Sequence, residues 1–221
     1  MSRVVLVTGG SRGIGEACAR RFTAAGDRVA VLARPSAHLS AVAEELGALE
    51  VAADIAAPSA VEDAVGRVQD ALGPVEVLVN NAGVAAVQDV DGHPLELWEH
   101  IQAVNLRAPF LFARAVVPAM LAAGRGRIIN VSSISGRIGS PGRSAYAASK
   151  WGLLGFSKSL SEEVKDAGVV VTAICPGSVD TRMLAGSGFA PDMQPEDVAE
   201  AICFLASAPP AVAGAALDMF G

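Results

Sequence analysis

The sequence has few of the residues that build metal sites, disulfides and nucleic-acid surfaces. Among its 221 residues are three cysteines, three histidines and one tyrosine. No Cys-x-x-Cys pair and no HExxH-like spacing occurs, so we expect neither a disulfide framework nor a metal site. Seventeen basic residues stand against 23 acidic ones, and the resulting net charge of −6 predicts no nucleic-acid partner.

Long apolar runs are also missing. The run Val4–Val7 is too short for the core of a signal peptide, and two glycines end it. The longest uncharged stretch, 201–217, is interrupted by two prolines and a glycine, whereas a membrane-spanning helix needs ~20 continuous apolar residues. From the sequence we therefore expect a cytoplasmic protein without a membrane partner.

Short runs of branched apolar residues alternate along the chain with segments of helical periodicity. The apolar runs predict strands at Val4–Val7, Val29–Leu32, 49–53, Val77–Val79, Ile128–Val131 and Val169–Val171. The helical segments cover about 14–25, 58–72, 94–123, 144–167 and 195–207. This alternation predicts one domain over 1–221, an α/β fold with a single doubly wound, Rossmann-type parallel sheet and helices on both faces. A flavodoxin-like strand order is an alternative that alternation alone leaves open.

A glycine-rich turn follows the first strand and opens a helix. The turn carries Gly9, Gly13 and Gly15, and such glycines let backbone N–H groups approach a pyrophosphate. Its spacing differs from G-x-G-x-x-G, and it lacks the lysine of a triphosphate-binding loop. We predict a dinucleotide site here; a tight strand–helix turn without a ligand is the structural alternative.

The end of the second strand indicates which dinucleotide is bound. An NAD(H) site usually has an acidic residue at this place, which accepts a hydrogen bond from the ribose hydroxyl. Here Arg34 follows the strand, and Arg12 lies inside the glycine turn. Two guanidiniums would pair with a 2′-phosphate, so we predict NADP(H) rather than NAD(H). Solvated surface is the alternative role for each arginine.

The single tyrosine, Tyr146, lies four residues before Lys150, so both side chains share one face of a helix. A free phenol has a pKa of about 10, too high for ready proton exchange near neutrality. A nearby ammonium favours the phenolate. The pair therefore predicts a proton donor and acceptor, and its occurrence with a nucleotide loop strengthens that prediction.

The sequence resembles the short-chain dehydrogenase/reductase family over nearly its whole length. The motifs that carry the resemblance occur in order: Thr8-Gly9-x3-Gly13-Ile14-Gly15, Asp54-Ile55, Asn80-Asn81-Ala82-Gly83, Asn105, Ser133, Tyr146-x3-Lys150 and Pro176-Gly177-x-Val179-x-Thr181.

The resemblance implies catalytic roles for four residues. Tyr146 would exchange a proton with the substrate oxygen, Lys150 would lower the tyrosine pKa and bind the nicotinamide ribose, and Ser133 would donate to the same oxygen. Asn105 would hold a water that connects Lys150 with solvent. Capping or ending a strand is the structural alternative for Asn105 and Ser133.

The resemblance and the glycine turn together imply a dinucleotide-binding set. Asp54 and Ile55 would contact adenine, and Val179 and Thr181 the carboxamide; helix capping is the alternative for Asp54 and Thr181. The complete predicted set is Gly9, Ser11, Arg12, Gly13, Ile14, Gly15, Arg34, Asp54, Ile55, Asn81, Gly83, Tyr146, Lys150, Val179 and Thr181.

Three functions remain open at this stage. The favoured one is reduction of a ketone or aldehyde by NADPH, with reversible alcohol oxidation; the others are an NAD-linked alcohol dehydrogenase and a non-catalytic dinucleotide sensor or scaffold. The segment 182–194 corresponds to a substrate lid, and it and the C-terminal end are shorter than is usual in the family. Since the helices near 97–123 and 144–167 pair between subunits in relatives, we expect a homodimer or homotetramer.

Overall fold

Seven parallel strands form one sheet in the computed structural model, which describes residues 2–185 and 188–221. The strands are β1 (Val4–Thr8), β2 (Arg28–Ala33), β3 (Leu49–Ala52), β4 (Val77–Asn80), β5 (Gly126–Val131), β6 (Val169–Pro176) and β7 (Ala216–Met219). Their order in the sheet is β3-β2-β1-β4-β5-β6-β7. The order and the parallel pairing confirm the predicted doubly wound, Rossmann-type α/β fold.

Helices cover both faces of the sheet, and the strands supply alternate residues to two cores. The helices are α1 (Gly13–Ala24), α2 (Ala37–Leu46), α3 (Pro58–Leu72), α4 (Leu95–Gln102), α5 (Ala108–Ala123), α6 (Ser144–Val164) and α7 (Pro195–Leu205). In β1, Val5 and Val7 belong to the core beneath α1, α2 and α7. Val4 and Leu6 belong to the core beneath α3, α5 and α6. Continuous apolar strands are therefore buried on both sides, as their composition predicts.

Two elements of the fold, α2 and β7, were not predicted from the sequence. Helix α2 is amphipathic and begins after Ser36, whose hydroxyl accepts a hydrogen bond from the Leu39 N–H; Gly47 ends it in the left-handed conformation. Strand β7 forms from the C-terminal tail and pairs with β6, although two of its four residues are exposed. The tail thus extends the sheet by one strand.

The helix predicted over 94–123 is interrupted by a π-helical turn at Ala103–Arg107, between α4 and α5. The whole stretch, Leu95–Ala123, has 29 residues and meets the length and composition criterion for a membrane-spanning helix. Buried core helices meet the same criterion, and the inner face of α5 packs against the sheet through residues such as Phe112 and Val116.

Strand β4 lies beside β1, while β2 lies on the other side of β1. The chain therefore reverses its direction of growth across the sheet between β3 and β4, and the loops after β1 and β4 separate. Thr8 connects the two strand ends: its hydroxyl donates to the Val79 carbonyl at 3.3 Å and accepts from the N–H groups of Asn81 and Ala82 at 3.0 Å each. A crevice opens at this point.

A buried polar chain ties α6 to the centre of the sheet. The Asn80 amide donates to the Asn130 side chain at 2.8 Å, and the Asn130 amide donates to the Ser157 hydroxyl at 2.8 Å. Ser157 in turn donates to the Leu153 carbonyl at 2.6 Å. Because buried polar groups are costly unless they are paired, this chain fixes the position of α6 along β4 and β5.

Candidate active site

A cleft of about 1330 Å³ follows the carboxyl edge of the sheet and passes through the crevice between β1 and β4. It has the position expected for a ligand in an open α/β sheet. All the residues predicted from the sequence to bind or react line this cleft, apart from Gly15 and Asn105. The lining residues are Gly9, Ser11, Arg12, Gly13, Ile14, Arg34, Asp54, Ile55, Asn81, Gly83, Ser133, Tyr146, Lys150, Val179 and Thr181.

The glycine turn has a backbone that side chains would not permit. Gly9 and Gly13 have φ angles of 68° and 56°, in the left-handed region. A Cβ on Gly15 would lie 2.2 Å from the Gly9 carbonyl oxygen, so Gly15 lets the turn close on α1 from beneath the cleft. Among the described residues, no side-chain hydrogen bond caps the start of α1 at Arg12, which leaves its first N–H groups to a ligand. This geometry fits a pyrophosphate.

Asn81 supports the same turn. Its side-chain amide donates to the Thr8 carbonyl at 2.9 Å and to the Gly9 carbonyl at 3.4 Å. The side chain therefore both lines the cleft and holds the loops after β1 and β4 together. Such a contact makes the shape of the glycine turn depend on the pairing of β1 with β4.

One end of the cleft carries the charged residues Arg12, Arg34 and Asp54. Both arginines are exposed, and within residues 2–185 and 188–221 neither makes an ion pair. Asp54 accepts a hydrogen bond from the Ala56 N–H at 3.0 Å, so its carboxylate also shapes the turn that precedes α3. Two guanidiniums without protein partners are available to an anionic group of the ligand.

Tyr146 and Lys150 lie on the buried face of α6 at the other end of the cleft, with 7% and 3% of their surfaces exposed. The Lys150 ammonium is 5.7 Å from the centre of the tyrosine ring and donates to the Val131 carbonyl at 2.8 Å. Ser133, two residues after β5, accepts a hydrogen bond from the Ser135 N–H at 3.1 Å, and its hydroxyl lies near enough to the phenol to favour the charged form of Tyr146. Strand β5 and helix α6 thus bring together the serine, the tyrosine and the lysine.

The protonation of the phenol differs from the sequence-based expectation. Burial raises the pKa of Tyr146, while the hydrogen bond from Ser133 and the charge of Arg143 act in the opposite direction. Lys150 does not bring the pKa of Tyr146 below its ordinary value, because the phenol has lost its water contacts and the ammonium donates its hydrogen bond to the Val131 carbonyl. Burial also lowers the pKa of Lys150 to about 8. At neutral pH Tyr146 therefore carries its proton and most Lys150 side chains are charged.

We expect Lys150→Met to raise the free energy of unfolding by about 2 kcal/mol near neutral pH, because it removes a buried charge. The folded pKa of about 8 lies below the ordinary lysine pKa of 10.5. The charge therefore destabilises the fold fully below about pH 8, and this penalty disappears as the pH rises towards 10.5. Urea unfolding at several pH values measures the difference between the two proteins, with the exposed Lys158→Met as control. A difference in unfolding free energy between the two proteins that stays constant with pH would contradict the lowered pKa of Lys150 in the folded protein.

Asn105 lies behind the cleft, inside the π-helical turn. Its side chain accepts from the Val84 N–H at 2.9 Å and donates to the Val84 carbonyl at 2.8 Å and to the Ser149 hydroxyl at 3.0 Å. Ser149 donates to the Tyr146 carbonyl at 2.7 Å. Asn105 thus connects the loop after β4 with the helix that carries Tyr146, and the predicted relay through a water stays a prediction.

The segment 182–194 follows Thr181 and borders the cleft through Met183, Leu184 and Phe189. A bridge between Val179, three residues before the segment, and Met193, near its end, closes the base of the segment. Of the predicted lid, Gly186 and Ser187 lie outside the described residues. The described part is anchored at its base and contributes apolar side chains to the cleft.

Sequence reasoning missed two residues of this region. Ser132 donates from its hydroxyl to the Lys150 carbonyl at 3.1 Å, which fastens β5 to α6. Arg143 lines the cleft three residues before Tyr146, and its charge acts on the phenol. The position of Arg143 three residues before Tyr146, just ahead of α6, was a signal that could have identified the arginine.

Comparison with known proteins agrees with this geometry. The model of the short chain dehydrogenase family matches residues 3–189. Among similar proteins, 2-(R)-hydroxypropyl-CoM dehydrogenase from Xanthobacter autotrophicus is 36% identical over 100% of this chain and 98% of its own length. A 3-oxoacyl-[acyl-carrier-protein] reductase from Synechocystis is 37% identical over 95% of this chain and 91% of its own length. D-beta-hydroxybutyrate dehydrogenase from Rhizobium meliloti is 38% identical over 83% of this chain and 74% of its own length. Motifs, fold and relatives agree, and the chain belongs to the short-chain dehydrogenase/reductase family of nicotinamide-dependent oxidoreductases.

Proposed function

We propose that this chain reduces a ketone or aldehyde with NADPH and catalyses the reverse alcohol oxidation. The observation that carries the proposal is the arrangement of Tyr146, Ser133 and Lys150 at one end of a cleft whose other end is the glycine turn. The nicotinamide supplies a hydride to the carbonyl carbon when it is bound. The protein's own groups then have to orient the carbonyl and supply a proton to its oxygen.

Tyr146 is suited to that proton transfer because burial keeps its pKa high and the phenol protonated. Its proton moves to the carbonyl oxygen as the new C–H bond forms, and the product is an alcohol. Ser133 shares the same oxygen as a second hydrogen-bond donor, and the Lys150 ammonium stabilises the negative charge left on the phenolate. In the oxidation direction, the phenolate removes the alcohol proton.

The preference for NADP(H) rests on Arg12 and Arg34. Both side chains line the cleft, are exposed and have no acidic partner among the residues that the structure describes. A 2′-phosphate on the ribose would accept hydrogen bonds from them, whereas NAD(H) has only a hydroxyl to offer. An NAD-linked alcohol dehydrogenase remains the second candidate, since Asp54 contributes a carboxylate to the same end of the cleft.

The substrate end of the cleft is mainly apolar, lined by Val84, Ala85, Ile134, Ile138, Met183 and Leu184. The test is a panel of aldehydes and ketones of increasing size, with cofactor absorbance followed for NADPH and for NADH. The proposal predicts reduction of several members with a higher kcat/KM for NADPH. Reduction with NADH alone would favour the second candidate, and binding of NADPH without any turnover would favour a sensor or scaffold.

A second copy of the chain is the partner that we propose for the outer face of α4, α5 and α6. Trp98, Phe110 and Trp151 are 43%, 46% and 53% exposed on these helices. Trp98 and Phe110 line a groove of about 850 Å³ together with Phe156, whose ring packs edge-on against Phe110 at 6.0 Å. Large exposed aromatic side chains on neighbouring helices are typical of an interface.

We expect the wild-type protein to be a dimer or tetramer by light scattering at micromolar concentration. Phe110→Glu should shift it towards the monomer, because the introduced charge would be buried without a partner in the interface. Phe204→Glu, exposed on α7, which packs on the opposite face of the sheet, serves as the control. A wild-type monomer at that concentration would refute the proposed assembly.

A further inference from the structure

Arg143 is a cation at the substrate end of the cleft whose hydrogen-bonding capacity is not used up by the protein. It lines the cleft next to Tyr146, and its guanidinium lies over the ring of Phe189, 5.1 Å from the ring centre. One Nη atom of Arg143 is out of contact with water and has no hydrogen-bond partner within the described part of the chain. A buried guanidinium nitrogen without a partner is unfavourable, so Arg143 retains hydrogen-bonding capacity that the described residues do not use.

The nearby acidic side chains do not neutralise Arg143. Asp89 is the carboxylate on the loop that packs against Gly142, and no ion pair joins it to Arg143 among the residues described. Arg137, six residues earlier, is by contrast paired with Asp218 at 3.0 Å. Arg143 therefore contributes an uncompensated positive charge to an otherwise apolar part of the cleft.

Position limits the kind of group that Arg143 can bind. Arg143 immediately precedes α6, both residues line the cleft, and the arginine charge acts on the phenol, so a substrate whose carbonyl reaches Tyr146 extends only a few bonds further to reach Arg143. The planar guanidinium favours a carboxylate, which it can bind through two parallel hydrogen bonds. Its stacking on Phe189 restrains the side chain and reduces the entropy lost on binding.

We propose that Arg143 selects carbonyl substrates that carry a carboxylate a few bonds from the carbonyl group, so that the substrates are short oxo acids. This inference rests on the proposed function and specifies its substrate class. The carboxylate would accept hydrogen bonds from the guanidinium, while the carbonyl oxygen meets Tyr146 and Ser133. The apolar side chains around them would contact the carbon chain.

A different role for Arg143 makes a different prediction. If the arginine acted only by its charge on the phenol, its loss would change the reduction of charged and neutral ketones by the same factor. If it binds a carboxylate, its loss affects the oxo acid alone. The ratio of the two rates therefore separates selection of the substrate from activation of Tyr146.

The experiment compares 3-oxobutanoate and 4-oxopentanoate with their methyl esters, using NADPH and then NADH. We expect wild-type kcat/KM to be higher for each acid than for its ester, and Arg143→Gln to lower the acid-to-ester ratio by about 10- to 100-fold. Arg143→Lys should retain part of the ratio, because it keeps the charge without the planar fork. Arg28→Gln, at the opposite edge of the sheet, should leave the ratio unchanged.

The outcomes distinguish this inference from the function on which it rests. Reduction of the esters with an acid-to-ester ratio that Arg143→Gln does not change would overturn the inference and leave the carbonyl reductase standing. Failure of wild-type protein to reduce any acid, ester or other ketone in the panel with either cofactor would overturn both. Calorimetric titration of the acids into the protein with NADP⁺ gives a second readout, in which Arg143→Gln should weaken binding by a similar factor.

Discussion

Replacing Tyr146 with phenylalanine is expected to lower kcat for ketone reduction by about a thousandfold, while NADPH binding remains. The substitution removes the phenolic hydroxyl that we propose gives the carbonyl oxygen its proton, and it keeps the buried ring, so packing on α6 should persist. Single-turnover absorbance measures the chemical step, and quenching or enhancement of NADPH fluorescence measures the affinity. Ser144→Ala, at the exposed start of the same helix, is the matched control.

The pH profile gives an independent check on the same residue. Reduction requires a protonated phenol, and burial raises the pKa of Tyr146, so wild-type reduction should persist above neutrality and fall at alkaline pH. The residual rate of Tyr146→Phe should lack the part of that fall caused by the phenol and keep any part caused by the loss of the Lys150 charge, whose pKa is about 8. Turnover close to wild type in Tyr146→Phe would remove the tyrosine from its proposed role and direct attention to another donor in the cleft.

The second large effect is expected on the choice of cofactor. The double substitution Arg12→Gln, Arg34→Gln should reduce the ratio of NADPH to NADH affinity by about 100-fold, since each charge-assisted hydrogen bond to a phosphate contributes about 1.5–3 kcal/mol before screening by solvent. Both arginines are exposed, so this ratio should also fall in the wild-type protein as salt concentration rises. Equilibrium titration of each cofactor at two ionic strengths measures both effects.

The two single variants show whether the arginines share the phosphate or whether one of them binds it. NADH affinity should change little in all three variants, which provides an internal control for the folding of the glycine turn. A double variant that loses NADH and NADPH affinity equally would show that the arginines act on the common part of the dinucleotide. Tighter wild-type binding of NADH than of NADPH would rule out the proposed preference.

Much of the architecture follows from local sequence because the strands are buried on both sides. Runs such as Val4–Val7 and Val169–Val171 are apolar without interruption, and such runs predict strands of a parallel sheet. The elements that escaped prediction obey other rules. Helix α2 is short and begins at its Ser36 cap, and β7 becomes a strand by pairing with β6. Pairing with a distant strand is invisible in a local window.

Sequence motifs predict those parts of the site that depend on backbone conformation. They do not predict properties of side chains that depend on burial and on neighbours from distant parts of the chain. The turn at Gly9 and Gly13 needs a left-handed backbone, so its role is apparent in the sequence. The direction of the pKa of Tyr146 depends on how completely the fold excludes water, which spacing from Lys150 does not reveal. The role proposed for Arg143 likewise depends on its position in the cleft and its contact with the Phe189 ring, which the sequence does not reveal.

The position of β4 beside β1 also has a consequence for how the chain reaches its folded state. Val7 and Val79 are neighbours in the sheet although 72 residues separate them in sequence, and Thr8 and Asn81 then complete the glycine turn. Contacts of such long sequence separation form late and slow the folding of a domain. The cofactor pocket therefore forms only after β1 has paired with β4. A dinucleotide consequently binds the assembled domain and not an early folding intermediate. Bound cofactor should accordingly protect the whole sheet against unfolding by mass action.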